Sequence, residues 1–230
     1  MTASNSDSGT WLSGVMALLM KDLTCEIRSA SASTAVGMFA VVTLAVVSYG
    51  VGQTPLEPVV QSGLLWTVLF FASSVGLSRT FVKEEETRTA TALRLTTDPS
   101  VVFGGKLLFN CAVMLILAAV VVPLFIVFFS VEPASPGLLA LYLLLGILGL
   151  AAASTIVAAI ISRARVKGPL FGALAFPILM PLLLLAVPGT AMALEGAPWE
   201  EAAGHLTGLL GFTGAMITVS FFLFDPVWEG

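Results

Sequence analysis

Histidine occurs once in the 230 residues, cysteine twice, and charged side chains make up only 10% of the chain. So thin a set of ligating and nucleophilic groups leaves little from which to build an enzyme. Cys25 and Cys111 do not have zinc-site spacing, and cysteines of a cytoplasmic face are normally reduced. An intramembrane serine protease needs a serine and a histidine at matched depth; Ser73, Ser74 and Ser154 are available, but His205 has no evident partner. A phosphate-binding loop is missing too. Gly104, Gly105 and Lys106 are followed by Leu107 instead of Ser or Thr, and Ser100 stands where the first loop glycine belongs. The long apolar stretches lack Asp, Glu, Lys, Arg and His near their centres, which argues against a proton-driven transporter and against a voltage sensor. Any energy source is expected to be external to the chain, and no metal site and no catalytic residue are expected in it.

Apolar residues are what the chain has: 57% of it belongs to the hydrophobic set, and the mean hydropathy is +1.01. A spanning helix needs about 20 apolar residues. Stretches of that kind fall near 34–52, 61–78, 106–129, 138–162, 170–188 and 206–224, so the fold class expected is all-α, a polytopic membrane protein with six spans. All ten Lys and Arg residues lie in three short segments: Lys21 and Arg28; Arg79, Lys83, Arg88, Arg94 and Lys106; Arg163, Arg165 and Lys167. Alternation of the spans puts these segments on one side. Short loops rich in Lys and Arg stay in the cytoplasm, so both termini are expected inside. The outside connections carry five acids (Glu57, Glu132, Glu195, Glu200 and Glu201) and no Lys or Arg, so the net charge of −4 reflects sidedness and calls for no nucleic-acid partner. The expected organisation is a tail and interfacial helix over 1–33 and one membrane domain over 34–230, with no room for a separate soluble domain.

The first 33 residues lack the pattern of a cleaved signal peptide. Over 11–28, Leu12, Met16, Leu19, Leu23 and Ile27 recur at helical spacing, with Lys21, Asp22 and Arg28 read as the opposite face. That predicts an amphipathic helix lying on the inner leaflet. The longest polar stretch runs from Arg79 to Lys106. Its first half predicts a helix with Glu84 and Arg88 as an i,i+4 pair, and Asp98 before Pro99 predicts an N-cap leading into the third span. Small residues in the fourth span, from Gly146 to Ala158, predict close helix packing. Pro123 in the third span, and Pro177 and Pro181 in the fifth, are candidate hinges or kinks. Trp199, Glu200, Glu201 and His205 make the 189–205 connection read as an interfacial helix with an aromatic anchor.

Several of these stretches resemble the CcmB family, the heme-exporter permease subunit of cytochrome c maturation and a type-2 ABC exporter membrane subunit. The similarity is carried by Lys21, Asp22 and Leu23 through Glu26, Ile27 and Arg28, and by the run Phe81 to Glu86 followed by Leu93, Arg94, Leu95, Pro99, Gly105 and Lys106. It continues in Leu145 to Leu150, Arg163 to Arg165, Phe176 to Leu183 and Phe224 to Glu229. Where that family tends to have Gly after its acidic run, this chain has Arg88 and Thr89, a departure in local turn geometry. The resemblance implies a non-catalytic permease subunit, multi-pass in the bacterial inner (cytoplasmic) membrane. An ATP-binding ABC subunit (CcmA-like) would dock on a coupling helix between spans two and three, with Phe81, Glu84, Glu86, Leu93, Arg94 and Leu95 as its contacts. The other implied partners are a heme-handling membrane subunit (CcmC-like), a small single-span subunit (CcmD-like) and a periplasmic heme chaperone (CcmE-like). Heme is the species moved, or the cargo of the chaperone that is released, and no tightly bound cofactor is implied. Trp199 and His205 are candidates for contact on the periplasmic side. The competing readings are an ABC permease for a lipid, drug or polysaccharide, and a non-transporting membrane scaffold.

Overall fold

The computed structural model describes residues 4–28, 31–52, 55–78, 80–82, 84, 89–162 and 168–229, and among these all regular structure is helical. In chain order the helices are α1 (Ser4–Arg28), α2 (Ser31–Val51), α3 (Pro58–Leu77), α4 (Ala90–Thr96), α5 (Pro99–Phe128), α6 (Pro136–Ser162), α7 (Gly168–Glu195) and α8 (Trp199–Glu229). Six of them, α2, α3, α5, α6, α7 and α8, are long and apolar enough to cross a membrane. Proline opens α3, α5 and α6, where its missing N–H is one that a first turn leaves unbonded anyway. Asp98 does stand at the N-cap of α5, but it caps with its carbonyl: Val101 and Val102 donate to that oxygen at 3.0 and 3.1 Å, and the side chain makes no cap bond.

α6 is the centre of the bundle. Within its span 78% of residues are buried, against 17% for the spans in α2 and α8. Its small residues explain this, because they let bulky neighbours press against its backbone. A Cβ added at Gly146 would lie 2.0 Å from the Trp66 ring, and one at Gly149 would lie 2.5 Å from Leu182. The reverse arrangement holds at Gly189 of α7, where Tyr142 of α6 fills the missing side chain's place at 2.2 Å. In lipid each buried polar group needs a partner inside the protein. Trp66 Nε1 donates to Thr190 Oγ1 at 2.9 Å, Tyr142 Oη to the Ala202 carbonyl at 2.6 Å and Thr213 Oγ1 to the Leu145 carbonyl at 3.1 Å. These bonds cross-link α3 to α7 and α6 to α8.

Pro123, Pro177, Pro181 and also Pro188 lie inside helices that continue past them. One expectation changes. The 189–205 connection is not a separate interfacial helix. Residues 189–195 are the last turns of α7, residues 199–205 are the first turns of α8, and only 196–198 lie between. Gly189 and Thr190 are held in α7 by Tyr142 and Trp66, which keeps the helix going past Pro188. Gly196 closes it with φ +76, a left-handed value suited to glycine, and Ala197 N–H returns to the Met192 carbonyl at 2.9 Å. The preceding loop on the same end is pinned here as well, since Ala134 and Ser135 N–H donate to the Leu194 and Ala193 carbonyls.

Replacing Gly146 with Leu should therefore overpack the α3–α6 contact and cost about 1–3 kcal/mol. Gly211→Ala, where an added Cβ meets nothing within 4 Å, should leave the protein unchanged or slightly firmer. Thermal unfolding of the detergent-solubilised protein compares the two. An unaltered midpoint for Gly146→Leu would show that the Trp66 contact is not tight.

Candidate functional site

The end of the bundle to which the basic segments attach is built around the first turns of α5. There Gly104 and Gly105 remove side chains from one face of the helix, and α1 crosses over it. A Cβ at Gly105 would stand 2.7 Å from Leu18 Cβ, and one at Gly104 3.1 Å from Val15 Cγ2; on the other helix, Gly14 leaves room for Val101 at 2.9 Å. Trp11 Nε1 donates to Ser100 Oγ at 3.1 Å beside this crossing. The Gly-Gly-Lys sequence that superficially suggests a phosphate loop is thus a helix-crossing site.

The crossing turns α1 differently from expectation. Val15, Leu18 and Asp22 are buried against the bundle, whereas Leu12, Met16 and Ile27 are exposed and Leu19 and Leu23 half-buried. At 100° per residue the two stripes lie about a quarter turn apart. α1 has a protein-facing stripe and a second apolar stripe left uncovered. Asp22, expected on the outward polar face, belongs to the first.

Asp22 faces inward because Lys106 does. The Lys106 side chain is only 4% exposed; its Nζ lies 2.8 Å from Glu84 Oε1 and 2.9 Å from Asp22 Oδ2. Lys21 Nζ joins from α1, 2.7 Å from the same Glu84 oxygen and 3.4 Å from Asp22 Oδ1. Thr89 completes the surroundings of Glu84. Its hydroxyl donates to Glu84 Oε2, and its N–H to the Glu84 carbonyl at 3.0 Å. Burial by itself pushes the Glu84 carboxyl up, but the Lys106 charge and hydrogen bonds from Lys106, Lys21 and Thr89 outweigh it and hold the group at about 2. Burial likewise disfavours the Lys21 ammonium, and Glu84 and Asp22 reverse the effect, so its pKa stands above the ordinary lysine value.

A second cluster adjoins the first. Phe81, fully buried, packs with ring centroids 5.6 Å from Phe224 and 6.0 Å from Trp228 at the end of α8. Phe103 of α5 meets Phe221 at 4.8 Å and Phe224 at 5.1 Å, and Phe224 stacks on Trp228 at 5.4 Å. Arg94 of α4 places its guanidinium carbon 4.8 Å above the Trp228 ring, a cation–π contact.

The expected coupling residues are therefore distributed unevenly. Phe81, Glu84 and Arg94 face other parts of their own chain, and Leu93 is half-buried against the core. Leu95 is 82% exposed. Glu86, and the Arg88 expected to pair with Glu84, lie outside the described residues. Sequence reasoning placed Asp22, Lys106 and Trp228 in motifs of the resemblance but gave none of them, nor Phe103, a contact at this site. The signal that could have found them is a lysine directly after two glycines inside an apolar helix, which needs both a close neighbour and countercharges. Trp199 and His205 sit at the other end of the bundle, on the first turns of α8. Trp199 is 58% exposed and His205 half-buried with Nδ1 lacking a hydrogen-bond partner. Six residues apart, they lie on different faces of the helix. Among the described residues no group of His, Cys, Asp and Glu is arranged to hold a metal ion.

The sign of the Glu84 shift sets its pH behaviour. With a folded-state value of about 2 against an ordinary 4.5, its stabilisation is complete above pH 4.5 and is lost as pH falls through 2. It amounts to on the order of 3 kcal/mol. Glu84→Gln should lower the unfolding midpoint at neutral pH, and should flatten the acid dependence between pH 4.5 and 2 relative to the parent chain. Equal acid slopes for both proteins would show that the carboxylate is not paired as described.

The family model described as CcmB protein matches residues 13–226, nearly the whole chain. No individual curated protein matches it.

Proposed function

The chain belongs to the CcmB family of multi-pass membrane permease subunits, and on that footing we propose that it is the membrane subunit of an ABC complex serving cytochrome c maturation. The family match over residues 13–226 carries this reading. An ATP-binding subunit docks on the basic, cytoplasmic end and moves the 79–97 segment. Leu95 is the contact offered outward, while Glu84, Phe81 and Arg94 fasten the segment to α1, α5 and α8. Glu84 acts as an anchor in this scheme. The uncovered stripe of α1, Leu12 to Ile27, rests on the inner leaflet beside the bundle. The membrane is the bacterial cytoplasmic one, and both termini lie inside.

Of the two possible outputs, we favour ATP-driven release of the heme-loaded periplasmic chaperone from its heme-handling membrane neighbour over passage of heme through this subunit. Tight heme binding relies on axial ligands such as His. The sole histidine, His205, stands half-buried at the far end of α8. Trp199 and His205 lie where the chaperone or its neighbour would touch.

Purification of the intact complex from membranes should bring down an ATP-binding subunit together with the heme-handling and single-span subunits. Recovery of an ATPase with no heme-chaperone component would point to a different cargo and overturn the reading. Leu95→Asp should weaken capture of the ATP-binding subunit by about tenfold or more, since it replaces burial of a leucine at the contact with burial of a charge, while membrane insertion is unaffected. Undiminished capture would remove Leu95 from the interface.

A further inference from the structure

One polar side chain deeper in the bundle is left unexplained by the charge and aromatic clusters. Asn110 lies one helical turn beyond Lys106 on α5 and is fully buried. Its Nδ2 donates to Thr155 Oγ1 at 2.8 Å, and its Oδ1 accepts from Thr80 Oγ1 at 2.9 Å. Thr155 belongs to α6, the buried central helix. Thr80 lies just beyond the end of α3, next to Phe81, at the start of the segment that leads to Glu84. A single carboxamide therefore joins the segment after α3 to the core helix.

The two threonines depend on Asn110 less than it depends on them. Thr155 gives its proton to the Ala151 carbonyl of its own helix at 2.6 Å. It can only accept from Asn110, which fixes the orientation of the amide. Thr80 has one hydroxyl proton and two acceptors at nearly equal range, Asn110 Oδ1 at 2.9 Å and the Leu77 carbonyl at 2.8 Å. In the first arrangement the segment is tied to α5 and α6. In the second the Thr80 hydroxyl is tied only to the end of α3, and no proton donor is lost. Asn110 instead directs both bonds to other segments. In an apolar helix an amide so placed is costly unless partnered, and interhelical bonds of this kind add little net stability.

We propose that Asn110 is a positioning residue, a latch that carries displacement of the 79–97 segment to α6, with Thr80 as its movable half. The inference rests on the ATP-coupled reading above. It places transmission on a side chain and leaves docking to the surface of the segment.

The test uses the full complex with its ATP-binding subunit, and measures ATP hydrolysis and yield of heme-bearing cytochrome c together. Asn110→Leu should assemble and hydrolyse ATP within about twofold of the parent rate, while cytochrome c yield falls about tenfold, the loss expected when roughly one hydrogen bond's worth of coupling is removed. Thr80→Val should do the same and Thr80→Ser should restore function. The double variant Asn110→Leu/Thr80→Val should be no worse than either alone, because both remove one connection. Full cytochrome c yield in Asn110→Leu overturns the latch, and so does a parallel fall in hydrolysis and yield, which marks a structural residue. If Asn110→Leu fails to insert, Thr80→Val decides alone, and parent-level yield there overturns the proposal. If an ATPase-inactive complex matures cytochrome c normally, the ATP-coupled reading itself fails, and the latch with it.

Discussion

A lysine ammonium set inside the first turns of an apolar helix has to bring its countercharges with it. Left alone in so poorly solvated a site, the Lys106 charge would cost several kcal/mol. Asp22 from α1 and Glu84 from the 79–97 segment supply the neutralisation, with Lys21 balancing the second carboxylate. The arrangement of this whole end follows. α1 has to cross α5 at the height that brings Asp22 to Lys106, and the two glycines before Lys106 permit that approach. The segment after α3 has to fold back far enough for Glu84 to reach the same ammonium. Two pieces of chain with no other reason to meet are thereby held at one point.

Charge alone would leave such a joint loose in direction, because point-charge attraction constrains distance more than angle. The aromatic cluster supplies the angle. Phe81 is three residues before Glu84, and its ring is held among Phe224, Trp228 and, through Phe224, Phe103. Arg94 lies over the Trp228 ring. The segment is thus held to α1 and α5 through ions and to α8 through rings. It is thereby fastened to the bases of both α5 and α8.

The spans were legible because length and apolarity decide them, and both are local properties of the sequence. Their ends were less so. Pro188 invited a stop at the end of the fifth span, but Tyr142 packing over Gly189 and Trp66 bonding Thr190 carry α7 on to Glu195. Those partners are remote in sequence. The same limit applies to the candidate site. Glu84 stood out within the charged Arg79–Lys106 stretch, and the i,i+4 rule could offer only Arg88, which lies outside the described residues; its described partners include a lysine 63 residues away, which no local rule can find. The periodicity of α1 correctly marked an apolar stripe, but it could not say that a second, weaker stripe containing Asp22 would be the one to meet protein. Periodicity ranks faces by hydrophobicity, and a buried countercharge is invisible to that ranking.

What these connections share is α6. Near the basic end Asn110 reaches Thr155 on it, and toward the opposite end Tyr142 on it bonds the Ala202 carbonyl in the first turns of α8. Residues 142 and 155 are thirteen apart, about 20 Å along the helix axis. α5 therefore touches the central helix through a hydrogen bond at one height, and α8 touches it through another at a different height. α8 is a single helix from Trp199 to Glu229, and its base is fixed to the same segment that Asn110 reads through Thr80. Under the proposed coupling, a displacement of that segment would arrive at α6 by two paths, one short and one running the length of α8. Because α6 has small residues where its neighbours press hardest, it has little side-chain slack to absorb the difference. A tilt of the central helix, more than a local repacking, is the response this geometry favours. Under the proposed coupling, that response would deliver movement to the end where Trp199 and His205 stand.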